Sequence, residues 1–199
     1  YLERIFETMD EPVTVKDAEN AVKMPEIRGE VTFDHVNFSY DESKQILKDV
    51  SFTVKPGESV ALVGPTGAGK STIVNLISRF YNVNGGRVLI DGQDISQVTI
   101  HSLREQMGIM MQDSFIFSGD IEDNIRYGKL DATREEIVNA SKTVCADEFI
   151  SKMLDGYQTE VRERGSMLSQ GQKQLISFAR TLLSDPAILI LDEATSSVD

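Results

Sequence analysis

Apolar and polar positions alternate in the early part of the chain and change to helical spacing further on. Residues 31–40 alternate and predict one strand, and residues 46–54 predict a second strand after a turn at residues 41–44. Residues 1–9 instead place apolar side chains on one helical face, and a polar, charged stretch follows as far as Gly29. The pattern therefore predicts a helix and a linker that lead into an antiparallel β portion.

The second half of the chain is mostly helical in pattern. Residues 121–154 have helical spacing, with a helix start at Thr133, and residues 169–183 predict another helix that ends before Pro186. Residues 187–191 form a continuous apolar run, which is typical of a strand buried on both faces. These elements predict a helical insertion, at about residues 121–183, between two parts of an α/β core.

A glycine-rich motif lies between an apolar run and a helical pattern. Residues 59–63 predict a strand, residues 64–71 match G-x-x-x-x-G-K-[ST], and residues 72–80 have helical spacing. In this order the backbone N–H groups of residues 64–71 (the phosphate loop) and the N-terminus of the following helix form a cradle for phosphate. The predicted nucleotide-binding residues are Gly64, Pro65, Thr66, Gly67, Ala68, Gly69, Lys70, Ser71 and Thr72. Lys70 is expected to reach the β- and γ-phosphates and Ser71 to hold Mg²⁺, so the chain is predicted to bind a nucleoside triphosphate.

Two carboxylates follow the apolar run near the end of the sequence. Asp192 and Glu193 come directly after residues 188–191, at the carboxyl end of the predicted strand. Ligands of open α/β sheets bind at that edge. Asp192 is therefore expected to hold Mg²⁺ through water, and Glu193 to polarise the water that attacks the γ-phosphorus. Phosphoryl transfer needs charge neutralisation and an oriented nucleophile, and this pair supplies both.

Composition narrows the range of functions. The chain has 199 residues and a formal net charge of −12, which argues against a nucleic-acid partner because phosphate neutralisation needs an excess of Lys and Arg. Cys145 is the only cysteine; it excludes an internal disulfide and is interpreted as a buried, inert thiol. No apolar run reaches the ~18 residues that a membrane span needs. The absence of an initiating Met and the end at Asp199, directly after a motif, suggest a piece of a longer protein.

A further motif identifies a family. The segment Leu168-Ser169-Gln170-Gly171-Gln172 (the signature motif) precedes the last helical pattern, and Ser169 alone would be interpreted as a helix N-cap. The order of phosphate loop, Gln112, this motif, Asp192-Glu193 and Ser197-Val198-Asp199 resembles that of ABC-type ATPases. The resemblance extends over nearly the whole chain from Gly29. The segments at residues 112–121 and 159–165 are similar to the Q-loop and X-loop of exporters in particular.

The resemblance implies a role for several further residues. Tyr40 would stack on adenine, and Gln112 would complete the Mg²⁺ shell, sense the γ-phosphate and assist catalysis. Such domains work as head-to-tail pairs, so Ser169, Gly171 and Gln172 would contact ATP held by the partner's phosphate loop, where a second helix N-terminus closes over the γ-phosphate. Asp199 would belong to a loop that couples the two sites.

The fold class expected from the resemblance is α/β: a P-loop NTPase core sheet with an antiparallel β subdomain and an α-helical subdomain. Residues 1–28 would be the linker after a transmembrane domain on the same chain, and residues 29–199 the ATPase domain. ATP and Mg²⁺ would be the cofactors. The partners would be that transmembrane domain and a second nucleotide-binding domain, identical or different. The expected location is the cytoplasmic face of the cell membrane.

The sequence departs from the family pattern at three places. Gln170 replaces the first glycine of the usual Leu-Ser-Gly-Gly-Gln, which raises the possibility of a heterodimer with one weak site. Arg162 stands where the X-loop commonly has glycine, and no physical reason for it is evident. The switch histidine of the family would follow Asp199; His35 and His101 precede the signature and are interpreted as surface or packing residues. The fragment alone is therefore expected to hydrolyse ATP weakly or not at all.

Two alternative functions remain open at the level of the sequence. One is a soluble ABC-type ATPase that acts on a non-membrane partner, which would require a long coiled coil or a tandem ATPase domain. The other is an ATP-gated clamp that binds and dimerises without turnover in this fragment. The Asp192-Glu193 pair argues against the clamp for the parent protein.

Overall fold

The computed structural model of the chain describes residues 5–6, 9–10, 12–41, 43–110, 115–161 and 165–192. The chain divides into two compact units, Tyr1–Arg104 and Glu105–Asp199. Ile5, Phe6 and Met9 have helical backbone, while the rest of the predicted first helix lies outside the described residues. Among the described residues, none of the helices combines the length and hydrophobicity that a bilayer crossing requires.

The first unit is built on an antiparallel sheet with strand order β2-β1-β3-β4. Its strands are β1 (Val31–Ser39), β2 (Gln45–Val54), β3 (Gly85–Ile90) and β4 (Gln93–Asp94). Strand β1 pairs with β2 and β3, and β3 pairs with β1 and β4, so these two strands lie inside the sheet. Among the described residues, the unit also contains helices α1 (Lys70–Ile77) and α2 (Ile100–Arg104) and a 3-10 helix at Ile95–Gln97. The two strands predicted from alternation are confirmed, and residue 42 of the predicted turn between them lies outside the described residues.

A bulge in β1 explains why its alternation shifts by one residue. Val31 and Phe33 are buried, and so are Val36 and Phe38, which means that an extra residue lies between the two pairs. The pairing with β2 is irregular between Phe33 and Val36, and His35 there has a φ of 52°. The extra residue returns the following side chains to the core face.

The second unit is a helical cluster with two short strand pairs. Strands β5 (Met107–Met110) and β8 (Ile188–Leu191) pair in parallel, and β6 (Gly119–Asp120) pairs antiparallel with β7 (Glu160–Val161). The helices are α3 (Ile121–Arg126), α4 (Arg134–Thr143), α5 (Asp147–Ile150) and α6 (Gln170–Leu183). Their fully buried isoleucines form one core: Ile121, Ile125, Ile137, Ile150 and Ile176. The predicted helical region and the predicted helix starts at Thr133 and Ser169 are confirmed.

Two strand predictions need correction. Residues 59–63 form no strand, and Val63 is 87% exposed. An apolar run becomes a strand only with a hydrogen-bonding neighbour, and no strand of the described residues pairs with this one. Strand β8 does form, but Leu189 and Leu191 are 41% and 45% exposed. It is therefore not buried on both faces within the part of the chain that the structure describes.

The prediction for the cysteine is also wrong. Cys145 is exposed rather than buried. The helical spacing that buries Ile137, Ala140 and Val144 ends at the C-cap of α4, and Cys145 follows with a left-handed φ of 61°. The change of backbone direction at this turn takes the side chain out of the core.

Candidate functional site

The glycine-rich loop of the first unit takes a conformation that requires glycine. Gly67 and Gly69 have φ values of 81° and 93°, in the left-handed region that side chains other than glycine rarely adopt. A Cβ atom on Gly69 would also lie 2.8 Å from Cδ2 of Leu47 on strand β2. The loop can therefore pack closely against the sheet only with glycine at this position.

Helix α1 begins directly from this loop with an open N-terminus. Gly69 is the N-cap, no side chain caps the helix, and no acidic residue lies in its first turn. The first N–H groups of any helix have no partner within the helix, and together they carry partial positive charge. The start of α1 can therefore donate hydrogen bonds to an anionic group.

The Lys70 side chain lies back over the loop. Its Nζ donates hydrogen bonds to the carbonyl oxygens of Gly64 at 2.8 Å and Pro65 at 3.1 Å. These contacts hold the ammonium group beside the loop backbone that is predicted to cradle phosphate. An anionic oxygen is a stronger acceptor for an ammonium group than a neutral carbonyl, so a phosphate oxygen can replace either carbonyl as the partner of Lys70.

Tyr40 is attached to the same helix. Its hydroxyl lies 3.1 Å from Oγ1 of Thr72, and Nδ2 of Asn75 donates to it at 3.4 Å. The ring contacts Phe38 and Tyr81 edge to face, with centroid distances of 4.9 and 5.0 Å. Tyr40 is nevertheless 48% exposed, so part of the ring remains open to stack on a planar ligand.

In the second unit, the signature motif forms a complete capping box. Oγ of Ser169 accepts a hydrogen bond from the N–H of Gln172 at 3.2 Å, and Oε1 of Gln172 accepts from the N–H of Ser169 at 2.9 Å. The interpretation of Ser169 as a helix N-cap is thus confirmed, independently of any role in nucleotide binding. Gln170 and Gly171 form the first turn of α6, between the two halves of the box.

Asp192 directly follows strand β8. Its N–H donates to the carbonyl of Met110 at 3.0 Å, which extends the parallel ladder by one bond. This backbone contact places Asp192 at the carboxyl end of two neighbouring parallel strands, as predicted. The remaining predicted residues lie outside the described residues: Gln112, Arg162, Glu193 and Asp199.

Both histidines are surface residues. His35 and Asp49 are exposed, and Nδ1 of His35 lies 2.6 Å from Oδ1 of Asp49. The hydrogen bond to Asp49 and the charge of that carboxylate raise the pKa of His35 above 6.5. His101 is exposed on helix α2.

The sequence analysis missed a partly buried polar cluster beside α6, formed by Arg180 and the buried Asn124. Arg180 and Asn124 join helices α6 and α3 to residues 115–117 through hydrogen bonds. No motif marks these residues. The available signal was an arginine at a position of the predicted helix 169–183 that is surrounded in sequence by core residues such as Ile176, Ala179 and Leu183.

The sequence of the chain is similar to a known protein family and to several known proteins. The ABC transporter family matches residues 47–196. The chain is 57% identical over 99% of its length to the uncharacterized ABC transporter ATP-binding protein YknV of Bacillus subtilis. It is 47% identical over 99% of its length to a fatty acid ABC transporter ATP-binding/permease protein of Mycobacterium bovis. The chain spans about a third of the length of these relatives, 33% and 31% respectively.

A solved structure is similar as well. A bacterial Atm1-family ABC exporter with ATP bound matches with a TM-score of 0.92 and 47% sequence identity. The match covers 100% of this chain and 35% of that one. Fold and sequence therefore agree on the same class of protein.

Proposed function

The chain belongs to the ABC transporter family as an ATP-binding domain of the exporter type, and we propose that it powers export across a membrane in the full-length protein. Domains of this class bind ATP with Mg²⁺ and hydrolyse it, so the chain is an ATPase domain. One observation carries the proposal: a glycine-dependent loop leads into the uncapped N-terminus of α1, with Lys70 beside it.

We assign ATP binding to the phosphate loop and Tyr40. Residues 64–72 would surround the phosphates with backbone N–H groups, and Lys70 would exchange the carbonyls of Gly64 and Pro65 for phosphate oxygens. Tyr40 would stack on the base through its exposed ring part, while its hydroxyl remains anchored to Thr72. The anchor links the base-binding ring to the first turn of the phosphate-binding helix.

The predicted donor set fits Mg²⁺. Ser71, Gln112 and Asp192 offer a hydroxyl, an amide and a carboxylate oxygen, and Mg²⁺ prefers oxygen ligands and commonly keeps part of its water shell. When bound, the ion would neutralise charge on the phosphate oxygens. Ser71 lies in the first turn of α1 and Asp192 follows strand β8, so both donors stand at the ends of regular elements.

Hydrolysis would depend on Glu193. Its carboxylate would accept a proton from the attacking water and orient that water toward the γ-phosphorus. Lys70 would stabilise the negative charge on the transferred group, and Gln112 would sense whether the γ-phosphate is present. Ser169, Gly171 and Gln172 would act on ATP held by a second nucleotide-binding domain, with their helix N-terminus directed at its γ-phosphate.

The domain organisation follows from these roles. Residues 1–28 would be a linker, preceded by the transmembrane domain in the same protein, and residues 29–199 the nucleotide-binding domain with a helical subdomain at about 121–183. ATP binding would bring two such domains together, and hydrolysis would separate them. The domain would therefore lie at the cytoplasmic face of the membrane that holds its partner.

The decisive test uses the full-length protein with Mg²⁺ and ATP. We expect Glu193→Gln to retain ATP binding while turnover falls by about a hundredfold or more, because a general base contributes 10²–10⁴-fold. The matched control is Glu135→Gln, an exposed glutamate in the first turn of α4, which should leave turnover unchanged. Turnover of E193Q at the wild-type rate would refute the assignment of the base.

A second test separates an exporter from a soluble ATPase. The coding sequence on both sides of the chain should encode several apolar runs of ~20 residues upstream and a histidine in a strand pattern downstream. A coiled-coil or soluble flank would instead support an ABC-type ATPase that drives a non-membrane partner.

A further inference from the structure

Arg180 connects three segments of the second unit. It lies on α6, about three turns after Ser169. Its Nε donates to the Asn124 carbonyl at 2.7 Å and its Nη2 to the Asn124 Oδ1 at 3.0 Å, both on α3. Its Nη1 donates to the Phe115 carbonyl at 2.9 Å. A single guanidinium group thus joins α6 (the signature helix, which the signature motif begins) to α3 and to the segment that follows Gln112 in the chain.

Asn124 completes the connection to that segment. Its Oδ1 accepts from the N–H of Phe117 at 2.9 Å, and its Nδ2 donates to the carbonyl of Phe117 at 3.0 Å and to that of Asp120 at 2.9 Å. Asn124 is buried, and the Arg180 guanidinium also lies over the Phe117 ring, 5.1 Å from its centroid. The backbone of Phe117 is therefore held on both its donor and its acceptor side.

Placing the Arg180 guanidinium here costs desolvation free energy, which a residue that only fills space would avoid. Burial lowers the pKa of Arg180, which means that its charge is partly desolvated. Among the described residues no carboxylate forms an ion pair with it; its partners are two carbonyl oxygens and one amide oxygen. An apolar side chain of similar volume would stabilise a helix packing at least as well. What only the planar guanidinium can do is hold three acceptors on two other segments in fixed directions.

The backbone at Gly128 lies so close to the backbone of α6 at Arg180 that the two segments have little room to move against each other. A Cβ atom on Gly128 would lie 1.9 Å from the carbonyl oxygen of Arg180. The backbone of α6 therefore lies close to the segment directly after α3, in addition to the contacts of the Arg180 side chain with α3. Displacing α6 would displace α3 and the Phe115–Phe117 segment with it.

We propose that Arg180 is a positioning residue for ATP hydrolysis, which fixes the Phe115–Phe117 segment to the signature helix so that the two move as one body. The proposal rests on the proposed function, because that function gives Gln112 its role at the γ-phosphate of its own phosphate loop and Ser169 its role at the γ-phosphate held by a second domain. Phe115 closely follows Gln112 in sequence, and Ser169 begins the helix that carries Arg180. Arg180 would thereby couple Gln112, at the γ-phosphate bound to its own phosphate loop, to Ser169, at the γ-phosphate held by a second domain, without touching either phosphate.

The test compares Arg180→Met and Arg180→Lys with wild type in the full-length protein. Methionine keeps an unbranched side chain but removes all three donors, while lysine keeps the charge but cannot reproduce the fork. The matched control is Arg87→Met, which removes an exposed arginine that pairs with Asp34 on the first unit. Amide hydrogen exchange of the peptide covering residues 115–120 is measured without nucleotide, and ATP affinity, kcat and KM are measured with Mg²⁺.

The proposal predicts a separation of these quantities. In R180M, exchange of the peptide should accelerate about tenfold, since a lost hydrogen bond of ~1.4 kcal/mol corresponds to that factor. The kcat should fall about 10- to 100-fold through misplacement of the reacting groups, with ATP affinity and KM within about twofold. R180K should give intermediate values and R87M wild-type values. Asn124→Ala should resemble R180M, and the double variant should be no worse than either single one.

Three results would overturn the proposal. The first is a wild-type kcat in R180M despite accelerated exchange. The second is unchanged exchange of the 115–120 peptide. The third is a loss of activity in R180M and R180K that follows their loss of thermal stability and recovers on cooling, because Arg180 would then be purely structural. If R180M does not fold, R180K alone decides this point. Failure of the proposed function is distinct, because then the wild-type protein itself would hydrolyse no ATP.

Discussion

Helices α1 and α6 both begin with a short motif rich in small residues, but their first N–H groups have different surroundings. Helix α1 starts at a left-handed glycine, Gly69, without any side-chain cap. Helix α6 starts with Ser169 and Gln172 in a reciprocal capping box. An uncapped start is less stable by itself and is ready to bind an anion, whereas a capped start is stable without a ligand.

The difference indicates which helix start depends on a nucleotide. The start of α1 lacks internal side-chain acceptors, so phosphate oxygens would complete its hydrogen bonding. The start of α6 already has acceptors for two N–H groups, and it would need to share or release them to contact ATP on a second domain. The phosphate loop is thus suited to bind ATP first and the signature helix to respond afterwards.

The largest effect is expected from Lys70→Ala. It removes the ammonium group beside the loop, and loss of charged hydrogen bonds to phosphate should weaken ATP binding about a hundredfold. Fluorescent-nucleotide titration of the full-length protein measures this. Lys48→Ala, which changes an exposed lysine on β2, is the control and should bind like wild type. Wild-type affinity in K70A would remove the phosphate loop from the account.

Gly69→Ala should give the next largest effect. The left-handed φ of 93° costs about 1–2 kcal/mol for alanine, and the new Cβ would lie 2.8 Å from Leu47. Gly57→Ala has a similar φ of 77° but meets nothing within 4 Å, so it should show the backbone cost alone. Chemical unfolding of both variants measures the difference. Equal losses of unfolding free energy would show that the close contact with Leu47 is unimportant.

Ser169→Ala should have a smaller effect and of a different kind. Removing an N-cap hydroxyl costs about 1 kcal/mol of stability, while the ATP affinity of domains that are not associated should stay unchanged, because α1 is not altered and Ser169 would contact only ATP held by a second domain. Ser169→Thr keeps the hydroxyl and should retain most of the stability. The denaturant midpoint and the ATP titration are measured on the same samples. A drop in ATP affinity without a drop in stability would contradict the contrast between the two helix starts.

The smallest expected effect is the pH dependence of the stability contributed by the capping box at the start of α4. Helix α4 has a capping box of Thr133 and Glu136, in which the carboxylate replaces the neutral amide of Gln172. A hydrogen bond from Lys129, with further bonds from Thr133, lowers the pKa of Glu136 from 4.5 to about 2. Its contribution to stability is therefore complete above pH 4.5 and is lost as the pH falls toward 2.

The Glu136 prediction is checked by acid titration. The carboxyl carbon of Glu136 should titrate in the folded protein with a midpoint near 2, and Glu136→Gln should lose this component of the acid sensitivity. The box of α6 has no carboxylate and should show no such dependence. A Glu136 midpoint near 4.5 would mean that the box does not hold its carboxylate in solution.

Local chemistry explains which features could be predicted from the sequence. The strand at residues 31–39, the N-caps Thr133 and Ser169 and the phosphate loop each depend on a few neighbouring residues with a fixed spacing. Periodicity and side-chain capping are local properties, so a single sequence is sufficient to recognise them.

The features that sequence analysis missed depend on distant parts of the chain. Residues 59–63 have strand character but no strand partner among the described residues, and a partner cannot be read from the run itself. Cys145 is exposed because a turn ends the helical face just before it. Arg180 and Asn124 are 56 positions apart in sequence, and only packing of α6 on α3 brings them together.

The most direct test of the central claim is hydrogen exchange of the E193Q full-length protein with and without Mg²⁺ and ATP. The account predicts slower exchange for residues 64–72 on ATP binding, and abolition of that effect by the added Lys70→Ala change. Protection at residues 169–172 should appear only when two domains associate. Unchanged exchange at residues 64–72 in the presence of saturating ATP would contradict the assignment of the phosphate loop.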